Sequence, residues 1–317
     1  MKILISGGAG FIASHVADAY IDAGHEVVIV DNLSTGYKHN LNPRAKFYEA
    51  DICSLELDKI FEEEKPEIVN HHAAQISVPG SIQDPLNDAE INVKGLIRIL
   101  ENCVKNKVKK IIYISSGGAI YGEAEEYPTT EKYSPRPLSV YAINKMVGES
   151  YLYFYQHQYG LNYTVLRYAN VFGPRQVSHG EAGVVSLFIE KLLNNEIPSV
   201  YVYPDEPEGM IRDYVFVKDV VKANLLVLEK GENDAFNIGT CVETRTLQLF
   251  NEIVTQLGLR VAPVFGEARQ GDLHRSLISF RKAQRVLGWE PSFSLSEGIM
   301  QTIEYFKKKH TVIPDLG

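Results

Sequence analysis

The chain has 317 residues, enough for one large core or two modest domains. Apolar residues make up 45% and charged residues 23%, which excludes a disordered chain, and a formal net charge of -8 argues against a basic face for duplex nucleic acid. Met1–Ser6 breaks into glycines after a few apolar residues, too few for a signal segment or a membrane span, so no membrane association is expected.

The first half alternates short β-branched runs with longer helical patterns. Ile3–Ser6, Val27–Asp31, Lys46–Glu49, Ile68–His71 and Lys110–Ser115 read as strands. Phe11–Ala23, Glu56–Glu64 and Pro85–Asn106 read as helices between them. A long helix over Tyr141–Tyr159 and a strand at Tyr163–Leu166 follow. Such alternation predicts an α/β fold, a doubly wound parallel sheet of Rossmann type. Continuous apolar strands such as Val28-Ile29-Val30 suit a sheet covered on both faces. After Gly173-Pro174 the rhythm becomes irregular, and Pro204, Pro207 and Gly209 mark a loop. The boundary is therefore placed at 174, with a nucleotide-binding domain over 1–174. A smaller α/β substrate domain is expected over 175–317, some of whose segments return to the first.

Gly7-Gly8-Ala9-Gly10-Phe11-Ile12-Ala13 joins the first strand to the first helix. Glycine lets a backbone turn sharply and approach a pyrophosphate, and the helix N-terminus offers unpaired N–H groups. The spacing is Gly7-x-x-Gly10-x-x-Ala13, with alanine where a third glycine is usual. Asp31 ends the second strand roughly 20 residues on, where an acid accepts both ribose hydroxyls of NAD and repels the 2′-phosphate of NADP. The plainer role for Asp31 is to cap the turn Asn32–Gly36.

Tyr141 and Lys145 stand four residues apart at the start of the long helix, on one face. A free tyrosine is a poor base at neutral pH, and a nearby ammonium lowers its pKa. Such a tyrosine can take a hydroxyl proton while hydride leaves the same carbon. Other conspicuous groups are discounted. His71 and His72 should point to opposite faces of a strand end, so no metal site is assigned. Glu62-Glu63-Glu64 reads as a solvated helix end, and Trp289 as packing. Cys53, Cys103 and Cys241 are scattered and odd in number, which predicts no disulfide framework and a reducing cytoplasm.

Together these residues resemble the extended short-chain dehydrogenase/reductase family. The likeness runs nearly end to end: Gly7–Ile12, Asp31–Gly36, Ala50-Asp51-Ile52, His72-Ala73-Ala74-Gln75, Ser115-Ser116…Tyr121-Gly122, Tyr141…Lys145 and Arg167–Pro174. It closes with Arg212-Asp213-Tyr214-Val215, Phe236–Gly239 and Arg269-Gln270-Gly271-Asp272. Within the family the chain looks most like the UDP-glucose 4-epimerases.

The resemblance implies NAD held by Gly7, Gly10, Phe11, Ile12, Asp31, Asn32 and Gly36, with Asp51 and Ile52 flanking the adenine. Ala73, Ala74, Gln75, Asn92 and Ser115 would line the cofactor path, Lys145 would hold the nicotinamide ribose, and Tyr168 and Val171 would sit near the nicotinamide. Asn170, Tyr201, Arg212, Arg269 and Asp272 would grip the UDP of a UDP-sugar, and a homodimer is implied. Arg offers a rigid fork suited to phosphate; the lesser alternative for Arg269 is a surface ion pair. The family usually carries Ser or Thr four residues before the tyrosine of Tyr121-Gly122. Here that position is Gly117, so Ser116 or a bound water must replace the missing hydroxyl. Gly118 and Ala119 replace the Asp-Glu pair of the family's dehydratases, which leaves oxidation to a 4-keto sugar followed by re-reduction. Ser276, four residues past Asp272, is a small residue at the sugar gate, or merely a loop cap. UDP-glucose and UDP-galactose are the expected substrates. UDP-N-acetylglucosamine or UDP-glucuronate is the nearest alternative, and a non-catalytic NAD-binding regulator is the alternative of another class.

Overall fold

The computed structural model describes residues 1–177, 183–268 and 272–312. Its strands are β1 Lys2–Ser6, β2 Glu26–Asp31, β3 Lys46–Glu49, β4 Ile68–His71, β5 Lys110–Ser116, β6 Asn162–Tyr168 and β7 Asn170–Phe172. They continue as β8 Ser199–Val202, β9 Ile211–Arg212, β10 Tyr214–Phe216, β11 Asp234–Ile238, β12 Thr244–Arg245, β13 Val264–Glu267 and β14 Arg275–Ser276. The helices are α1 Phe11–Asp22, α2 Glu56–Glu64, α3 Val78–Gln83, α4 Pro85–Ala89, α5 Gly95–Lys105 and α6 Val140–Tyr159. Then come α7 Val184–Leu193, α8 Val217–Leu226, α9 Thr246–Leu257, α10 Arg281–Leu287 and α11 Leu295–Val312.

Seven strands form one parallel sheet in the order β11-β6-β5-β4-β1-β2-β3. Apolar side chains alternate between its two faces. Ile3, Ile5, Val27, Ile29 and Ile112 enter one core, and Leu4, Val30, Val69, Ile111 and Tyr113 enter the other. Each fully buried Val, Leu or Ile contributes about 1.5–3 kcal/mol, which accounts for strands without a polar side. A third core runs from Phe172 through Phe188 and Phe250 to Phe306 and supports the substrate side.

The chain beyond 174 does not stay apart from the first sheet. β11 pairs with β6 as its outer strand, and Val215, Val220, Phe236, Ile278 and Trp289 share a core with Ile3 and Ile5. Trp289 is fully buried, and its indole N–H donates to the Asp219 carbonyl at 2.8 Å.

Two local expectations change. The single helix read over Pro85–Asn106 is broken by a π-helical turn, Glu90–Lys94, between α4 and α5. Asn92 lies within this turn, and such bulges are frequent at functional sites. Glu64, read as solvated, is buried. It accepts from Lys2 Nζ at 3.0 Å, from Tyr48 Oη at 2.5 Å and from Lys46. Burial alone would raise its carboxyl, but the bonds from Lys46, Tyr48 and Lys2 outweigh that and hold it down at about 2. Strand β3 and the chain start need a counter-ion between them, which helical periodicity could not reveal.

Because the folded carboxyl lies below its ordinary 4.5, the stability it supplies is complete above that pH and is lost as pH falls towards 2. Glu64→Gln should lower the unfolding free energy by about 2–3 kcal/mol at pH 7. The gap to wild type should narrow in urea titrations at pH 3; a constant gap would contradict the assignment.

Candidate active site

Strand order reverses between β1 and β4, and their carboxyl ends open the crevice. Gly7 turns there with φ 74°, and a Cβ on it would stand 2.7 Å from the Ala73 amide nitrogen. No side chain fits between these backbones. Gly7 N donates to Val30 O at 2.8 Å and Ala73 N to Ser6 O at 3.0 Å, so the turn is tied to both neighbouring strands. Gly10 is the N-cap of α1 and makes no side-chain cap, so the N–H groups of Phe11 and Ile12 present the positive helix end at this turn.

Asp31 caps the turn that follows β2. Its carboxylate accepts from Ala9 N at 3.0 Å and from Leu33 N at 2.7 Å, capping the turn, and each oxygen keeps acceptor capacity for a ribose hydroxyl. Burial raises its carboxyl while those backbone bonds act in the other direction. A Cβ on Gly36 would lie 2.8 Å from Ala9 Cβ and 3.1 Å from Asp31 Oδ1, so this loop closes on the acid only as glycine. Asn32 Nδ2 donates to Asp51 Oδ2 at 2.7 Å, and Asp51 Oδ1 accepts from Cys53 N at 2.7 Å. Ile52 is buried against Gly95. Gln75 and Asn92 exchange two bonds, Gln75 N to Asn92 Oδ1 and Asn92 Nδ2 to Gln75 O, both 3.0 Å, which fixes the loop of Ala73 and Ala74. A dipolar helix end, a side-chain-free turn and a fixed diol acceptor fit NAD.

Ser139 caps α6 by accepting from Ala142 N at 3.2 Å, and Ser81 of α3 accepts from Tyr141 N at 3.1 Å. Lys145 Nζ donates to the Ile114 carbonyl at 3.0 Å and lies 5.8 Å from the Tyr141 ring centroid. The Tyr141 phenol lies beside the Ser116 side chain, whose influence favours the phenolate. One expectation is corrected here. Burial dominates and pushes the Tyr141 phenol up to about 12, with Ser116 acting against it. Burial likewise pushes Lys145 down to about 8.

Gly117 has a steric reason. A Cβ there would meet Ile278 Cδ1 at 2.7 Å and the Arg167 carbonyl at 3.1 Å. Position 117 therefore faces packed protein, and the hydroxyl that meets Tyr141 is one residue earlier. Ser115 donates to Glu149 Oε1 at 2.6 Å, and Glu149 pairs with Arg167 at 2.5 Å. Tyr168 is turned into the core, where its hydroxyl accepts from Asn224 Nδ2 at 2.7 Å. Val171 is partly buried between two cores.

On the substrate side, β14 pairs with β9 so that Ser276 stands beside Arg212. A Cβ on Gly118 would lie 3.0 Å from Asn170 Oδ1 and 3.9 Å from Ser276 Oγ, which brings Asn170, Ser276 and the end of β5 together. Arg212 has no carboxylate partner among the described residues; burial lowers its guanidinium, and Nη1 donates only to its own chain's Ile211 O at 3.0 Å. Such a fork suits a phosphate. Arg269 lies outside the described residues. Tyr201 packs its ring on Gly266. Tyr203, not singled out from the sequence, donates to the Asp272 carbonyl at 2.6 Å and stacks on His274 at 3.9 Å. Ser81, Asp88 and Asp213 were also missed; only the four-residue steps Asp84–Asp88–Asn92 hinted at a shared face.

If crowding explains Gly117, Gly117→Ser should cost about 1–3 kcal/mol of stability without raising turnover. Adding Ile278→Val, which removes Cδ1, should recover part of the loss. Thermal unfolding of the single and double variants checks this, and strict additivity would refute it.

Comparison with known proteins agrees with this geometry. Residues 3–239 match the NAD dependent epimerase/dehydratase family. The chain is 43% identical over 308 residues to a putative UDP-glucose 4-epimerase of Methanocaldococcus jannaschii, covering 97% of this chain and 99% of that one. It superimposes with a TM-score of 0.95 and 48% identity on the Thermotoga maritima UDP-glucose 4-epimerase with UDP-glucose, covering 98% and 100% of the two chains. Against the Thermus thermophilus UDP-glucose 4-epimerase in complex with NAD the TM-score is 0.92, with 40% identity and coverage of 97% and 99%. The chain thus has relatives that match it over nearly its full length, and it belongs to the NAD-dependent epimerase/dehydratase family.

Proposed function

We propose that this chain inverts C4 of a UDP-hexose, interconverting UDP-glucose and UDP-galactose with NAD. The observation that carries the reading is the meeting of Tyr141, Lys145 and Ser116 at the end of β5, next to the dinucleotide crevice. NAD supplies the hydride acceptor and donor at C4. Ser116 and Tyr141 hold the 4-hydroxyl, take its proton as C4 is oxidised, and return it when the other face of the 4-keto sugar is reduced. With its phenol at about 12, Tyr141 rests protonated, so it becomes a base only where positive charge favours the phenolate. Lys145 is the protein's own source of that charge. Arg212 and Asn170 grip the diphosphate, assisted by Arg269, with Tyr201 and Asp272 on the uridine side. Gly118 and Ala119 offer neither acid nor base, so elimination of water has no catalyst there.

A second reading, tolerance of UDP-N-acetylglucosamine, is favoured by the small Ser276 beside Gly118 and Asn170. Supporting a reducing compartment such as the cytoplasm, Cys53, Cys103 and Cys241 are unpaired. Among the described residues no helix is long and apolar enough to cross a membrane. A homodimer is supported by exposed Leu86 on α4 and exposed Ile143, Tyr153 and Phe154 on α6, an apolar surface that a second copy would cover. Sedimentation at micromolar concentration should show a dimer, and a monomer would overturn that assignment.

Product analysis on UDP-glucose, UDP-galactose and UDP-N-acetylglucosamine tests the reaction. Turnover of the first two is expected, and inactivity on every UDP-hexose would refute it. Tyr141→Phe should lose roughly 10²–10⁴ in turnover, and Ser116→Ala should slow turnover while bound NAD is retained. Ser276→Tyr should abolish N-acetyl activity before glucose activity, because added bulk clashes with the larger sugar alone. Equal losses on both sugars would remove the gate from the account.

A further inference from the structure

Asp88, on the short helix α4, is fully buried and has no ion-pair partner among the described residues. A buried carboxylate is costly unless hydrogen bonds satisfy it. Three side-chain amides do so. Gln75 Nε2 donates to Oδ2 at 2.6 Å, and Asn144 Nδ2 and Asn92 Nδ2 donate to Oδ1 at 2.7 and 3.1 Å. The three donors come from three different segments. Gln75 belongs to the loop after β4, Asn92 to the π-helical turn, and Asn144 to α6, directly before Lys145. One side chain thus ties the cofactor-side loop to the helix that carries Tyr141 and Lys145.

Lys145 in turn is buried and has no ion-pair partner among the described residues; its ammonium rests on a single carbonyl, Ile114 O. The ionisable groups around it leave one candidate for its counter-charge. His71 and His72 at the end of β4 are held neutral by burial, reinforced by Lys145 itself. Tyr113 of β5 lies under the ammonium at 5.2 Å from its ring centroid, and burial keeps it a phenol. Tyr141 is likewise a phenol at rest. Glu149, one turn further along α6, is taken by Arg167 and Ser115. Asp88 is the remaining carboxylate, and its field acts on Lys145 against the effect of burial.

We propose that Asp88 is a positioning residue for the Tyr141–Lys145 pair, bracing α6 against the Gln75 loop and the π-helical turn and serving as the buried counter-charge of Lys145. Catalytic use of Lys145 as a cation then depends on a carboxylate that touches neither sugar nor cofactor. The proposal rests on the reading of Tyr141 and Lys145 as the proton-handling pair.

Asp88→Asn keeps the shape and removes the charge. In enzyme labelled with ¹⁵N-lysine and carrying NAD, the Nζ resonance absent from a Lys145→Met control reports Lys145. Its titration midpoint should fall by about one unit in Asp88→Asn, the size of shift an opposite charge can impose. The alkaline limb of the turnover profile should move down with it, while KM for UDP-glucose and bound NAD stay near wild type. If Asp88→Asn does not fold, Asp88→Ser, smaller and likewise uncharged, should give the same shift. An unmoved Lys145 midpoint overturns the proposal even if turnover falls, because a bracing role alone leaves that charge untouched. Wild-type enzyme inactive on every UDP-hexose overturns the functional reading instead, and the Lys145 titration still decides the role of Asp88.

Discussion

A buried ammonium is the constraint around which this site is organised. Lys145 is only 4% exposed, and burial works against its charge. What solvates it is fixed protein: the Ile114 carbonyl at 3.0 Å and the ring faces of Tyr113 and Tyr141 at 5.2 and 5.8 Å. The carbonyl belongs to β5, so the same bond seats α6 on the sheet and sets where Tyr141 meets Ser116. The charge also disciplines its neighbours. His72 is pushed down to about 3, first by burial and then by Lys145, so the two histidines beside the crevice stay neutral. A cation in a dry site constrains every ionisable group near it, because its field is poorly screened there.

The cofactor side is governed by exclusion of side chains. Gly7 and Ala73 approach too closely for a Cβ, and Gly36 fits against Asp31 only without one. Backbone contact at the point where strand order reverses leaves N–H groups and one carboxylate as the chemical surface. That is suited to a pyrophosphate and a ribose diol, whose recognition needs donors and acceptors at fixed spacing.

The substrate side is held by a different device. Asp213 is buried, and its carboxylate accepts from Thr240 N and Oγ1 at 2.8 and 2.7 Å, from Cys241 N at 3.1 Å and from Ile278 N at 3.4 Å. Its carbonyl accepts from Asn170 N at 2.9 Å. One residue next to Arg212 thereby ties together the segments carrying Asn170, Arg212 and Ser276. Short strands of two residues cannot hold a register by themselves, and these bonds supply what the ladder lacks.

Periodicity and turn chemistry made six strands of the sheet, the glycine turn, Asp31 and the Tyr141–Lys145 pair legible in the sequence, because each shows as a local pattern of residue types, whereas the seventh strand, β11, did not. The break at Glu90–Lys94, the burial of Glu64 and the orientation of Tyr168 were not legible. Each is set by groups far away in the chain: Gln75 for Asn92, Lys2 for Glu64, Asn224 for Tyr168. The replacement of a usual hydroxyl by Gly117 was visible as a letter, but its cause, the crowding of Ile278 against the end of β5, was not. The sequence by itself determined which chemical groups are present and on which local faces they lie. Only the tertiary structure decided which of them lose water and which gain partners, because burial and long-range pairing, not residue type, set the cost of a charge.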